Sequence, residues 1–457
     1  MKKRCPFHPH DAAVSAATTI AKLSDSEKLS RAGAAPWSVR ISERYHCTLS
    51  PDLADWFDRE IWKRVSGNEF CEPVVVGDLL AEAPEVIWPG LMPCDLLPIL
   101  GNASGDWLCL RIDAQDHAAE VVHWYHGGGD WLPWGRSISE AILFDTLSGR
   151  LPSPARRHAV PAADAPRQVP VADDELLGWA RGHVPAEISE WVDQPGDPED
   201  LAAALLRHHV AEIAVRCELV QSALKETLSA TLDPATAEQL GVDWNQVVQW
   251  MFDTQKIPLA TRQRLQRDYG LSISKAQDWN AAEQHSRQVV RRDPGLAWAW
   301  DVIGYAAERR GDTATAVDAY RRAAACSVFT DQSVRLRTHW TAEDAAKFSA
   351  SRLQECFSEV VEQSEYLQIL CESDPLSRRH RATVHWLALA DASAAAGDWA
   401  VARQQYQSAG WDLGAEPLAI YGDLLVQIST AAENSGQRAR AELARTHRRC
   451  LQERYGF

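Results

Sequence analysis

The stretch LPILGNASGDWLCLRI, residues 97–112, decides how the first part of the chain is interpreted. An apolar run ends at a turn rich in Gly and Asn, and a second β-like segment begins at Trp107. Such a turn between two β-forming segments is typical of a β-hairpin, but glycine-rich loops also bind phosphates or line catalytic sites. The neighbouring residues are therefore needed to decide whether this stretch belongs to a binding domain or to an enzyme.

The composition indicates an acidic globular protein. The chain has 457 residues, of which 46% are hydrophobic, and a formal net charge of −16. At roughly 150 residues per domain, a chain of this length is expected to contain about three domains. The negative charge disfavours general binding to nucleic acid or to anionic membranes, and it favours basic partners. Trp is unusually frequent, with 19 residues, and we expect most of them to lie in the core.

The ten Cys residues are scattered and include no Cys-x-x-Cys pair. A soluble protein of this length needs no disulfide framework, so reduced and mostly buried thiols are expected. No apolar run approaches the length of a membrane span. Pro, His and Asp interrupt the basic start, where a signal peptide would be apolar. We expect a cytoplasmic protein with a disordered arm at 1–36 and no membrane contact.

Residues 37–150 predict an α+β domain, a small antiparallel sheet with flanking helices. Ser50 as N-cap and Pro51 at the first helical position predict a helix over 49–65. An apolar stripe at helical spacing runs along this segment. The stripe consists of Leu53, Trp56, Phe57, Ile61 and Trp62.

The rest of this domain is predicted to contain three strands and a closing helix. Turns rich in Gly, Asn and Asp separate the β-like segments. The closing helix, over 137–147, begins with Ser137 as N-cap and has Glu140 three residues later as a capping box. The β-like segments are 73–76, 107–113 and 120–126.

Beyond this domain the composition changes. Residues 151–175 are rich in Pro and Ala without an apolar period, which predicts an extended linker. A helical connector is expected over 176–262, in which 197–228 has the pattern of one helix with Asp200 near its N-cap. The last part, 263–457, is predicted to be an all-α array of helical hairpins.

Three blocks in the last part share the spacing of the tetratricopeptide repeat, TPR. In such a repeat, small residues let two helices approach, large residues fill the space beside them, and a Gly-Asp pair turns the chain. The spacing is interrupted between about 331 and 382, where we expect an irregular or inserted helical pair. The matching residues are Gly270, Asp278, Ala282, Val289 and Pro294; Trp300, Ile303, Gly304, Gly311, Asp312, Ala316, Tyr320 and Ala323; and Trp386, Leu389, Ala390, Gly397, Asp398, Ala402, Tyr406 and Ala409.

The His and Cys residues do not form a recognisable metal site. Cys5, His8 and His10 are close in sequence, but their spacing matches no known closed site. Alternation along a strand places His123 and His126 on opposite faces unless the strand ends between them. We therefore expect no metal and no cofactor.

The segment HGGGDW, residues 126–131, is similar to the oxyanion loop of some esterases. That loop requires a Gly-x-Ser-x-Gly elbow further along the chain, and the sequence has none. A simple turn is the favoured interpretation. We therefore expect no enzymatic activity, and a hydrolase with its site at Gly127–Gly129 is an alternative.

Residues 235–272 resemble a repressor-type helix-turn-helix. The proposed reading helix offers Asp243, Asn245, Gln246 and Gln249 but neither Arg nor Lys, which DNA readers use for phosphate and guanine contacts. We favour ordinary helices here and do not expect nucleic acid as the partner. The alternative is a transcription regulator that reads DNA with this segment and uses the TPR array as a sensor.

The order of elements in the first domain is that of a known family. Five features carry the likeness: LSPDLADWF (49–57), LLPIL (96–100), GDWLCLRI (105–112), VVHWYH (121–126), and Trp131 in the Gly-rich turn before the Ser-capped helix. Residues 84–147 together with this first helix resemble the SUKH superfamily, the Smi/Knr-type domain. The long stretch between the first helix and LPILGN departs from the family pattern.

The resemblance implies binding rather than catalysis. SUKH domains are immunity proteins that neutralise bacterial toxins, or scaffold-like regulators such as the fungal cell-wall-assembly regulator. The family has no shared catalytic residues, so the resemblance implies none here. We expect a protein–protein interaction protein whose partner is another protein, for example a basic toxin, since the chain itself is acidic.

Two sets of residues are candidates for partner binding. If the strands pair with Val122 and Trp124 facing the core, one exposed patch results; the alternative is that a helix or the linker covers this face. A second set lies on one helix of the block that matches the TPR spacing best, and it is the candidate for a binding groove. For the Trp of this set, the competing explanation is packing against the neighbouring repeat. The patch is Trp107, Arg111, His123 and Tyr125, and the groove is Trp298, Asp301, Tyr305 and Glu308.

Overall fold

The computed structural model describes residues 35–65, 69–126, 131–152, 175–194, 196–229, 259–269, 279–327, 347–410 and 418–456. A curled sheet with helices forms the N-terminal part, and the C-terminal part of the described chain is all helical. The predicted order of a sheet-containing region followed by a helical region is therefore confirmed.

Six strands form the sheet of the described residues: β1 (Thr48–Leu49), β2 (Glu72–Pro73), β3 (Leu96–Gly101), β4 (Trp107–Ile112), β5 (His117–Trp124) and β6 (Trp131–Gly135). An antiparallel meander of β3, β4 and β5 is its centre, and β2 pairs with β3. The outer edge of β5 pairs with β6 antiparallel and with β1 parallel. The sheet is thus mixed rather than antiparallel, because β1 arrives from the preceding helix in the same direction as β5.

The stretch LPILGNASGDWLCLRI is the β3–β4 hairpin. The side chain of Asn102 closes its turn, because Oδ1 accepts hydrogen bonds from the main-chain N–H of Ser104 at 3.0 Å and of Asp106 at 2.9 Å. Gly105 has φ +85°, a left-handed conformation that favours glycine. The expectation that these glycines shape a hairpin is confirmed. By contrast, the strand predicted over 73–76 is wrong, since β2 ends at Pro73 and a short helix begins at Val76.

The helices around the sheet are α1 (Trp37–Tyr45), α2 (Pro51–Asp58), a 3-10 helix (Ile61–Arg64), α3 (Val76–Leu79) and α4 (Ile138–Ser148). The helix predicted over 49–65 begins at Pro51 as expected but is broken after Asp58, where Glu60 takes φ +53°. Its apolar stripe is buried throughout. Ser137 caps α4 as predicted, with its Oγ accepting from the N–H of Glu140 at 3.3 Å.

Five described helices follow in the chain: α5 (Glu175–Arg181), α6 (Ala186–Glu190), α7 (Pro198–Arg207), α8 (Glu212–Ser229) and α9 (Leu259–Tyr269). The single helix predicted over 197–228 is wrong, because His209 and Ala211 adopt positive φ between α7 and α8. The N-cap of α7 is Asp197, and Asp200 lies in the first turn, near the N-cap as expected. Helix α5 packs on α4, and α8 packs on β6.

The remaining described helices are α10 (Asn280–Arg292), α11 (Ala297–Arg309), α12 (Thr313–Ala325), α13 (Phe348–Cys356), α14 (Ser358–Glu362), α15 (Glu365–Leu370), α16 (Pro375–Ala395), α17 (Trp399–Ala409), α18 (Leu418–Asn434) and α19 (Arg438–Tyr455). The predicted turns after α11 and α16 are confirmed, with Gly311 at φ +81° and Gly397 at φ +84°. A Cβ on Gly304 would lie 2.5 Å from the Tyr320 ring, so α11 and α12 approach as closely as the small residue allows. Among the described helices, none combines the length and apolar composition that a membrane span requires.

The last helix, α19, attaches the helical region to the sheet. The carboxylate of Asp116, in the β4–β5 turn, accepts from the N–H groups of Arg438 and Ala439, and the Arg440 Nε donates to the Ile112 carbonyl at 2.9 Å. Arg44 on α1 forms a 2.6 Å ion pair with Glu442. One hydrophobic core extends from α1 to α19 across this contact.

Candidate binding surfaces

Arg111 lies between the sheet and the helical region. Its guanidinium pairs with Glu120 on the neighbouring strand and with Asp293, 3.3 Å away at the end of α10, and it lies 4.7 Å from the centre of the Trp131 ring. Burial opposes the charge of Arg111, but the two carboxylates outweigh burial and raise its pKa. Burial raises the pKa of Glu120, and the Arg111 charge lowers it only in part. Arg111 therefore holds α10 against the sheet.

The four residues of the predicted patch do not share one face. The register pairs Trp107 with Trp124 and Leu108 with His123, and residues paired across two strands point to the same side of a sheet. Trp107 and Arg111 thus share a face with Trp124. His123 lies on the opposite face with Leu108, and Tyr125 stacks on it. The prediction of one exposed patch is therefore wrong. Both faces of the sheet are covered, so the alternation of side chains along β5 does not show which residues face the solvent.

His123 is part of an aromatic cluster and is only 3% exposed. Its ring stacks on Tyr125 with centroids 3.7 Å apart. Phe70 and Trp134 meet it edge-on at 4.8 Å and 4.9 Å. Tyr125 is buried as well. In this structure His123 and Tyr125 therefore pack inside the domain and are not at its surface.

Asp106 joins the two histidines at the end of the hairpin. Its Oδ1 accepts from the main-chain N–H of His126 at 3.0 Å and lies 2.9 Å from His126 Nδ1, and its Oδ2 lies 3.5 Å from His123 Nε2. Burial opposes the ionised form, but these hydrogen bonds outweigh it and lower the pKa of Asp106 to about 2. The two histidines converge because β5 ends at Trp124, before His126.

Asp106 is not among the site residues predicted from the sequence. Its position directly after Gly105, in the turn of the hairpin, could have indicated it. A Cβ on Gly105 would lie 3.3 Å from the His126 ring, so the glycine lets this ring lie over the turn. Gly127–Gly129, the proposed hydrolase site, lie outside the described residues. Within the described ranges, no group of three or more His, Cys, Asp or Glu side chains is arranged to hold a metal ion.

The predicted groove on α11 is not an open groove at three of its four positions. Trp298, Asp301 and Tyr305 are buried. Tyr305 meets the Trp279 ring at 4.9 Å and the Phe348 ring at 6.1 Å, both at steep angles. These residues are buried because α10 and α13 both pack on α11, so the face that was expected to form the groove lies between helices. For Trp298, the competing explanation of packing between helices is the correct one.

Glu308, the fourth groove residue, is the centre of a polar cluster between α11, α12 and α13. Its carboxylate accepts from the Tyr320 hydroxyl at 2.8 Å and pairs with Arg352. Burial opposes the charge of Arg352, but the bonds to Glu308 outweigh it and raise its pKa. Arg352 lies in the stretch where the repeat spacing is interrupted, so the sequence pattern did not reveal this partner.

Exposed apolar side chains concentrate in the last third of the chain. Half of the large hydrophobic side chains that are exposed in the described residues lie on α16, α17 and α18. Helix α16 is open along most of its length, since only Arg378, Ala382 and Ala390 of its residues are buried. The exposed side chains are Leu376, Val384, Leu389, Val401, Ile420 and Val426.

Four further predictions lie wholly or largely outside the described residues. These are the arm over 1–36, the linker over 151–175, the cluster of Cys5, His8 and His10, and the proposed DNA-reading residues Asp243, Asn245, Gln246 and Gln249. In comparisons with known proteins, no family model matches the chain, and no curated protein matches it.

Proposed function

We propose that the chain is a non-catalytic protein that binds another protein. In this proposal a SUKH-like domain over 37–150 and TPR-like helical repeats over 263–457 form one interaction scaffold. The resemblance of the first domain to immunity proteins and regulatory scaffolds, and the repeat spacing of the second, both favour this class of function.

The observation that carries the proposal is that α16, α17 and α18 hold half of the exposed large apolar side chains of the described residues. Soluble proteins expose single apolar side chains routinely, but a concentration of them on neighbouring helices is typical of a binding surface. Helical-hairpin arrays bind peptides or helices along such surfaces. Helix α16 fits this role because only three of its residues, Arg378, Ala382 and Ala390, are buried.

The contact between α19 and the sheet supports a joint role for the two parts. Because Asp116 and Arg111 connect the sheet to α19 and α10, a partner would meet one continuous body. The net charge of −16 favours a basic partner through electrostatic complementarity. A toxin that acts on nucleic acid is one class of protein with such a charge, and neutralising it would be an immunity function.

The test is affinity purification of the tagged full chain from its native host after gentle cross-linking. We expect a second protein in a stoichiometric ratio with a basic isoelectric point. Recovery of no such protein, at low salt and with cross-linking, would contradict the proposal. A toxin reading frame directly upstream of the gene would favour immunity over scaffolding.

A further inference from the structure

The segment 78–91 has an unusual attachment to the rest of the protein. Three arginines on α1 and α19 reach it, and all three donate to its main-chain carbonyl groups. Arg44 Nη2 donates to Ala81 and Glu82 at 3.2 Å and 3.3 Å, Arg449 Nε to Glu82 at 3.0 Å, and Arg454 Nη2 to Glu85 at 2.6 Å. The three arginines therefore contact the backbone of the segment and not its acidic side chains.

The carboxylates of this segment form no ion pair with the described cations. Arg44 and Arg449 both direct their ion pairs to Glu442 instead. Within the part of the chain that the structure describes, Asp78, Glu82 and Glu85 are exposed and have no ion pair. Burial and the charge of Glu85 raise the pKa of Asp78, as expected for neighbouring acids without a cation between them.

Two large apolar side chains follow these carboxylates in the same segment. Trp88 is 38% exposed and Leu91 is 43% exposed. Gly90, at φ +96°, forms the turn that presents them, and the Met92 N–H donates to the Trp88 carbonyl at 3.2 Å. The Trp124 indole donates to the Leu91 carbonyl at 3.1 Å, which anchors this turn on the sheet.

The face of the Trp88 ring already accepts a guanidinium. The Arg454 Cζ lies 5.3 Å from the ring centre, in the range of a cation–π contact. Arg454 thus occupies one face of the ring, and 38% of Trp88 remains exposed for an apolar side chain of a partner.

We propose that Asp78, Glu82, Glu85, Trp88 and Leu91, here called the 78–91 surface, bind a basic segment of a protein partner. An apolar residue of the partner would pack on Trp88 and Leu91, and its Arg or Lys residues would face the three carboxylates. Aromatic anchors rimmed by complementary charge are typical of protein interfaces. This inference rests on the proposed function and names the chemistry of the partner.

The experiment is a fluorescence anisotropy titration of the full chain with two labelled peptides, one alternating Arg and Leu, the other alternating Glu and Leu. We expect the Arg–Leu peptide alone to bind. The double variants W88A/L91S and E82Q/E85Q should each weaken this binding by about tenfold, since each removes one half of the surface. Added salt should weaken binding to the wild type more than binding to E82Q/E85Q.

Two matched controls separate this surface from general attraction to an acidic protein. Trp300 also has an arginine over its ring, Arg322 at 5.1 Å, and Leu259 is an exposed leucine at the start of α9, outside both proposed binding surfaces. W300A and L259S should bind like the wild type, and thermal unfolding checks that every variant is folded. Equal binding by all folded variants, or no binding by the wild type, would overturn the proposal.

Affinity purification from the native host distinguishes a failure of the 78–91 surface from a failure of the proposed function. If W88A/L91S recovers the same partner as the wild type, the 78–91 surface is wrong and the protein-binding function stands. If the wild type recovers no partner, the proposed function itself is wrong.

Discussion

The carboxylate of Asp116 accepts hydrogen bonds from the main-chain N–H groups of Arg438 at 3.1 Å and Ala439 at 3.0 Å. A turn of the sheet thus caps the last helix, more than three hundred residues further along the chain. An acidic side chain at a helix N-terminus satisfies free N–H groups and interacts favourably with the helix dipole. The cap makes the position of α19 depend on the sheet.

Asp116→Ala should lower the free energy of unfolding by about 1 to 2 kcal/mol, since it removes a helix cap at a residue with φ +60°. Urea unfolding measures this change, and hydrogen exchange should increase both at the start of α19 and in the β4–β5 turn. Asp116→Asn separates the cap from the backbone conformation, because Asn tolerates this conformation but offers one acceptor oxygen where the carboxylate uses two. Its loss should be smaller than that of Asp116→Ala. A stability of Asp116→Ala equal to that of the wild type would contradict the cap.

Arg111→Met should destabilise the protein by about 2 kcal/mol, because it leaves the carboxylates of Glu120 and Asp293 without their cation in a largely buried place. The value is below that of a fully buried pair, since 23% of the Arg111 side chain is exposed. Adding Asp293→Asn should recover part of the loss. Arg59→Met, in an exposed pair with Asp55, should change stability by less than about 0.5 kcal/mol. A loss no larger at Arg111 than at Arg59 would contradict its role.

Gly304→Ala tests the close approach of α11 and α12. The new Cβ would meet the Tyr320 ring, so the helices must separate, and we expect a loss of about 1 to 3 kcal/mol in urea unfolding. Gly178→Ala is the control within α5, where a Cβ meets nothing within 4 Å. That variant should stabilise the protein by up to about 1 kcal/mol, because alanine favours the helix. Stabilisation of both variants would contradict the contact.

His447, on α19, makes stability depend on pH. Burial lowers its pKa from 6.5 to about 4. As the pH falls from 6.5 towards 4, the unfolded chain binds a proton that the folded protein does not, so the free energy of unfolding decreases, by up to about 3 kcal/mol. His447→Gln should remove much of this decrease when urea unfolding is compared at about pH 7 and about pH 5. Replacing the exposed His46 with Gln should leave it unchanged, and an equal effect of both substitutions would contradict the assignment.

The features that could be predicted from the sequence are those that local chemistry decides. Ser137 caps α4 and Pro51 begins α2 because these residue types favour such positions. Gly311 and Gly397 adopt positive φ at the predicted turns. The hairpin around Gly105 belongs to the same class, since the Asn102 side chain closes its turn through bonds to the nearby Ser104 and Asp106.

The features that could not be predicted depend on distant residues. Assigning the faces of β5 required knowing that helices cover both sides of the sheet, and Asp293 and Arg440 come from far along the chain. The break between α7 and α8 has no glycine or proline to signal it, since His209 and Ala211 carry the positive φ. The 78–91 surface depends on which groups Arg44, Arg449 and Arg454 contact, and no local pattern encodes that choice.

The most direct test of the central claim is the native mass spectrum of the tagged chain purified from its host. The account predicts a complex heavier than the 50.8 kDa chain by the mass of one basic protein in a stoichiometric ratio. A spectrum at low salt that contains only the chain itself, or multiples of its mass, would contradict a protein-binding function.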